Sequence, residues 1–131
     1  MDLPFAAESP ATARALVAEA LQGTRTPADV VGTAELLVSE LVTNVLRHTT
    51  GGTIGLAIAV QPLVISVSDT STEPVEVREP SADQPTGRGL QLVQQLAFRW
   101  GVLTDDAGKT VWFELMWPSL SRPKDARAHP R

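Results

Sequence analysis

Apolar residues recur at steps of three and four between positions 28 and 48, and this period predicts a long α-helix. The residues that share its apolar face are Val31, Ala34, Val38, Leu41 and Val45. A Thr-Pro pair at positions 26–27 marks the start of the helix, and a Thr-Thr-Gly-Gly run at positions 49–52 marks its end. We therefore expect a helix that packs one face against a protein core.

A polar stripe runs along the same helix beside the apolar face. Glu40, Asn44 and His48 follow one another at steps of four, which separates them by only about 40° per step around the helix. Arg47 falls beside this stripe. Glu and Asn on a helix are most often simply solvated, and that interpretation stays open. A carboxylate one turn before a carboxamide, on a helix otherwise built for burial, is also a candidate site.

The remaining pattern predicts two further helices and five strands. The predicted strands cover residues 2–7, 53–60, 63–69, 100–104 and 110–117, and the two other helices cover residues 9–23 and 87–98. Ser9 is a favourable N-cap, with Pro10 at the first helical position. Turns at Gln61-Pro62 and at residues 105–108 would close two hairpins. We expect an α+β two-layer sandwich in which a mixed, mostly antiparallel sheet carries three helices on one face.

Length and composition place these elements in one globular domain. The chain has 131 residues, of which 43% are hydrophobic and 20% charged, and it has no cysteine for disulfides or thiolate metal sites. Its net charge of −4 argues against a nucleic-acid partner. We find no apolar run of the roughly 20 residues that span a bilayer and no signal-peptide pattern, so we expect a cytoplasmic protein without a membrane contact.

The end of the chain differs from the rest in composition. Residues 118–131 are polar, include Pro118, Pro123 and Pro130, and show no apolar period. We expect this segment to be a disordered tail, which leaves residues 1–117 as the folded domain.

Two more polar clusters interrupt the apolar pattern. Asp69 ends a predicted strand and enters a long loop, residues 70–86, of a length that is often functional. A carboxylate there can accept a hydrogen bond from an exocyclic amine such as that of adenine, although a turn-capping role is equally consistent. Gly87-Arg88-Gly89-Leu90 then opens a helix, where free amides and the helix dipole favour a phosphate. Glycines at helix starts are common, so this cluster alone is weak evidence.

In this order, the three clusters resemble the ATP-binding domain shared by gyrase, histidine kinases and the MutL mismatch-repair protein. The polar stripe of the long helix looks like the N box of that family, Asp69 like the opening of its first glycine box, and residues 87–90 like its second. The chain is most similar to the stand-alone actinobacterial branch of the anti-sigma-factor serine kinases, which also share the segments Trp100-Gly101 and 108–113. The resemblance implies the Bergerat ATP-binding fold.

The resemblance also implies roles for individual residues. It would make Asn44 the Mg²⁺ ligand, Glu40 the general base, and Asp69 the residue that recognises adenine. The ATP-binding residues that it implies are Asn44, Arg47, His48, Asp69, Ser71, Thr86, Gly87, Arg88, Gly89 and Leu90. The expected cofactors are therefore ATP and Mg²⁺.

Two function classes follow from the resemblance. The first is an anti-sigma factor and serine kinase that phosphorylates an anti-sigma-factor antagonist and alternatively binds a sigma factor; such kinases often form homodimers. The second is an ATP-binding adaptor with weak or no catalysis. Ser71 and Glu73 stand where the first glycine box of the family has glycines, and the loop carries further carboxylates, which favours the adaptor. Intact Glu40 and Asn44 favour the kinase.

Overall fold

Three helices and five strands make up the part of the chain that the computed structural model describes, namely residues 1–49, 51–70 and 89–116. The elements are β1 (Asp2–Leu3), α1 (Ser9–Leu21), α2 (Ala28–His48), β2 (Ile54–Ala59), β3 (Leu63–Asp69), α3 (Gly89–Leu96), β4 (Arg99–Asp105) and β5 (Gly108–Leu115). Most of the predicted loop and the whole of the predicted tail, residues 118–131, lie outside the described residues.

The five strands form one sheet in the order β1-β2-β3-β5-β4. All four neighbouring pairs in the described residues are antiparallel. The predicted α+β sandwich with three helices is therefore confirmed, but the parallel component expected of a mixed sheet is not found among these strands. The reason is that β5 lies between β3 and β4, which run in the same direction and would otherwise be parallel neighbours.

The core lies between the helices and one face of the sheet. Alternate residues of β2, β3 and β5 point to the helices, as the two-residue period of a strand requires. The strand residues of this core are Ile54, Leu56, Leu63, Ile65, Val67, Phe113 and Leu115. Ala13, Val17 and Leu21 of α1 cover them from the helical side. Each fully buried side chain of this size contributes about 1.5–3 kcal/mol to folding.

Helix α2 is the central helix of the layer, because both α1 and α3 pack against it. Four of the five residues predicted for its apolar face are buried, and Val31 is half-buried. The helix ends where the hydroxyl of Thr49 donates to the Val45 carbonyl at 2.8 Å. Although α2 has 21 residues, neither it nor another helix of the described ranges is long and apolar enough to cross a membrane.

The connection from β1 to α1 differs from the sequence prediction. Helix α1 begins at Ser9, and its N-cap position is Glu8, which makes no side-chain capping bond. The buried Ser9 hydroxyl donates instead to the Pro4 carbonyl at 2.5 Å, so the prediction that Ser9 is the N-cap is wrong. Strand β1 is also shorter than predicted, because Pro4 has no N–H to continue the ladder.

The opposite face of the sheet carries no described helix. Its side chains include Trp112, whose ring covers Gly101 on the neighbouring strand so closely that a Cβ there would lie 2.7 Å from the indole Nε1. Arg99 and Glu114 form an ion pair across the same two strands at 3.2 Å. On this face Leu103 is 64% exposed.

Candidate functional site

Helix α2 positions the first group of predicted site residues. Glu40 and Asn44 lie one turn apart and are both half-buried, whereas Arg47 and His48 are exposed in the last turn. The polar stripe therefore becomes more exposed towards the end of the helix, because each step of four residues rotates the side-chain direction by about 40° around the helix axis. Arg47 and His48 stand where positive charge is favourable, at the C-terminal end of the helix dipole.

The side-chain oxygen of Asn44 has an unusual environment. Oδ1 is shielded from solvent and has no hydrogen-bond partner in the part of the chain that the structure describes. Buried polar atoms are almost always paired, and an unpaired one costs about 1–3 kcal/mol. A carboxamide oxygen is also a hard ligand that suits Mg²⁺. The lone pairs of Asn44 Oδ1 thus accept no hydrogen bond from the described residues and could coordinate a cation.

Few other side chains could share such a cation. Within residues 1–49, 51–70 and 89–116, the structure contains no group of three or more His, Asp or Glu residues that could hold a metal ion. Mg²⁺ commonly takes only one or two protein ligands and completes its shell with water and substrate phosphates. A single ligand such as Asn44 Oδ1 fits that mode, whereas the described residues offer no metal site built wholly from protein.

Asp69 ends β3 as the sequence predicts, and it is half-buried. It stands opposite Lys109 in the register of β3 and β5. Gly108, just before Lys109, packs closely against the backbone of Asp69 and Thr70. Its φ is +151°, and a Cβ on it would overlap the Asp69 carbonyl oxygen and lie 2.8 Å from Thr70 Cα. The backbone around Asp69 is therefore fixed by a contact that only glycine permits.

The exit from α2 reaches the same end of β3. Gly52 has a φ of +101°, and a Cβ on it would lie 3.0 Å from the Thr70 hydroxyl. Three segments thus meet at what we term the site end of the sheet: the exit from α2 at Gly51–Gly52, the end of β3 at Asp69–Thr70, and the β4–β5 turn at Gly108. Sequence reasoning identified Asp69 here but did not assign a site role to Gly52, Thr70 or Gly108.

Helix α3 supplies the described part of the second predicted glycine motif. It begins at Gly89, and Leu90 is buried in the core. Because α3 packs against α2, its first turn belongs to the same layer as Glu40 and Asn44. The other predicted site residues, Ser71, Thr86, Gly87 and Arg88, lie outside the described residues, so their roles remain predictions.

Comparison with known proteins bears on the family and the fold of the chain. Residues 3–115 match the model of the histidine kinase-like ATPase domain family. A solved structure of the RsbU and RsbW domains of Rv1364c from Mycobacterium tuberculosis is similar over 88% of this chain, with a TM-score of 0.63 and 16% sequence identity. The match covers 31% of that longer chain, and the likeness is one of fold. No curated protein matches the sequence.

Proposed function

Because the chain belongs to the histidine kinase-like ATPase domain family, which implies ATP binding, we propose that it is an ATP-dependent serine kinase of the anti-sigma-factor type. It phosphorylates an anti-sigma-factor antagonist and regulates a sigma factor by partner switching. The observation that carries the proposal is the shielded Oδ1 of Asn44, which has no hydrogen-bond partner among the described residues and lies one helical turn after Glu40. The motif resemblance supplies the partner class, and the fold shared with the mycobacterial RsbU–RsbW chain supports it.

In this proposal, Asn44 would hold the metal of a Mg-ATP complex through Oδ1. When bound, Mg²⁺ supplies charge neutralisation at the phosphate oxygens. Asp69 accepts a hydrogen bond from the adenine amine, and the contact of Gly108 with its backbone keeps that carboxylate in place. The backbone amide of Gly89, where α3 begins, would donate to a phosphate oxygen. The resemblance assigns the same task to Gly87 and Arg88, which lie outside the described residues.

Glu40 then acts as the general base. The serine hydroxyl of the partner loses its proton to the Glu40 carboxylate, and the serine oxygen bonds to the γ-phosphorus of ATP. The bond from that phosphorus to the bridging oxygen breaks, and ADP leaves. Such a base typically contributes about 10²–10⁴-fold to the rate.

A second candidate is an adaptor that binds ATP and its partners without phosphoryl transfer. Glu73 and the other carboxylates of residues 70–86 favour it, because they place negative charge where the family brings nucleotide phosphates close to the chain. The two candidates differ in one measurable step, the transfer of phosphate to a protein serine.

The test is incubation of the wild type and Glu40→Gln with labelled ATP, Mg²⁺ and the purified anti-sigma-factor antagonists of the same genome. We expect the wild type to label one antagonist and Glu40→Gln to do so about 10²–10⁴-fold more slowly, with equal ATP affinity. A wild type that binds an antagonist but never labels it would support the adaptor. Equal rates in both proteins would remove Glu40 from the role of base.

A further inference from the structure

One side of α2 is exposed or half-buried along the whole length of the helix. At 100° per residue, the positions of this solvent-facing stripe fall within an arc of about 80°. Its members are Asp29, Gly32, Leu36, Glu40, Thr43 and Arg47, all of them exposed or half-buried. The stripe therefore continues from the candidate base, Glu40, towards the start of the helix.

Leu36 is the one large apolar side chain among the six residues of this stripe. It is 40% exposed, whereas Leu37 and Leu41 of the same helix are buried in the core. One turn earlier, a Cβ on Gly32 would meet no described atom within 4 Å, so the helix surface there is open. A single exposed leucine is ordinary in itself. What distinguishes Leu36 is its position one turn from Glu40, next to an open glycine.

We propose that Asp29, Gly32 and Leu36 form the docking surface for the protein substrate of this kinase, an inference that rests on the proposed function. A hydroxyl that gives its proton to Glu40 must come within about 3 Å of the carboxylate. Leu36 lies only about 6 Å from Glu40 along the helix axis. A folded partner cannot reach Glu40 so closely without covering the adjacent turn, so its surface extends over Leu36.

The stripe also defines the chemistry of the partner. Leu36 would pack against an apolar side chain of the partner, and the open surface at Gly32 leaves room for the partner's main chain to approach closely. Carboxylates stand on both sides of Leu36, at Glu40 and at the exposed Asp29. The docked protein therefore presents its serine beside an apolar residue, with a basic residue roughly two helical turns, about 11 Å, further along.

Two variants test the surface without touching the ATP site. Leu36→Ala removes the apolar contact, and Gly32→Gln places a neutral chain in open space while favouring the helix. Leu103→Ala is the matched control, because Leu103 is more exposed than Leu36 and lies on the opposite face of the sheet. All four proteins are compared as full chains, with the purified antagonist proteins of the same genome as probes.

We expect each α2 variant to raise the KM for the antagonist about tenfold, with kcat and ATP affinity near wild type and Leu103→Ala unchanged. Antagonist KM values within twofold of wild type in both α2 variants would overturn the inference and leave the kinase intact. If the wild type binds an antagonist without transfer, the same comparison is made on Kd. If it neither labels nor binds any antagonist, the proposed function fails, and this inference fails with it.

Discussion

At the β1–α1 connection, the buried hydroxyl of Ser9 donates to the Pro4 carbonyl, whereas the shielded Oδ1 of Asn44 on α2 has no partner in the described residues. Both polar groups lie within the helical layer. Ser9 satisfies the general requirement that buried polar atoms be paired, and Asn44 violates it. We infer that the β1–α1 region serves stability alone, while α2 gives up part of its stability at Asn44 to keep an acceptor available for a ligand.

Gly108→Ala provides the largest expected effect at the site end. The new methyl group would overlap the Asp69 carbonyl, so we expect the free energy of unfolding to fall by about 3 kcal/mol. Denaturant unfolding measures this loss. Gly51→Ala is the control, since Gly51 also has a positive φ but a Cβ there meets no described atom within 4 Å. An equal, small loss in both variants would show that the contact with Asp69 is not tight.

Asn44→Ala tests whether the Oδ1 of Asn44 serves ligand binding and not stability. We expect Mg-ATP affinity to fall at least tenfold, about 1.4 kcal/mol, because the cation ligand is removed. The free energy of unfolding should stay the same or rise by up to about 1 kcal/mol, since the substitution removes a shielded acceptor that has no partner among the described residues. Calorimetry and denaturant unfolding measure the two quantities. Unchanged Mg-ATP affinity would contradict the assignment, and a large loss of stability would make Asn44 a structural residue.

Ser9→Ala has the smallest expected effect. In contrast to Asn44→Ala, it should lower stability and leave Mg-ATP affinity unchanged. Loss of the 2.5 Å hydrogen bond leaves the Pro4 carbonyl unpaired and should lower the free energy of unfolding by about 1 kcal/mol. Mg-ATP affinity should not change. Thr12→Ala is the control, because its hydroxyl bonds the Glu8 carbonyl in an exposed position, where water can replace it. A change in nucleotide affinity in Ser9→Ala would contradict the division between the two regions.

The sequence predicted what depends on local periodicity. Spacing along the chain was enough to separate the buried Val38 and Leu41 of α2 from Glu40 and Asn44, because both sets follow the geometry of one helix. Asp69 was predicted at a strand end, where the structure has it. For the same reason, Leu36 could have been noticed as an apolar residue off the apolar face.

Contacts between distant segments were not predictable in this way. Nothing in the sequence around Gly108 shows that its backbone meets Asp69, since the two positions come together only when β5 pairs with β3. The insertion of β5 between β3 and β4 is likewise a long-range event, and it is why the described sheet is antiparallel throughout and not mixed. Ser9 looked like an N-cap because that role is local, but its real acceptor is the Pro4 carbonyl before the helix.

The position of β5 has a consequence for synthesis on the ribosome. After β3 has left the exit tunnel, one of its edges can pair with β2, but its other edge has no partner until β5 has been synthesised. The delay is long, because Ser68 of β3 and Thr110 of β5, whose hydroxyls share a hydrogen bond, are 42 residues apart in the sequence. A nascent chain at that stage exposes the unpaired backbone N–H and C=O groups along one edge of a seven-residue strand, and such an edge can pair with other chains. Chaperone contacts on the nascent chain should therefore be strongest after β3 emerges and should disappear once β5 is complete.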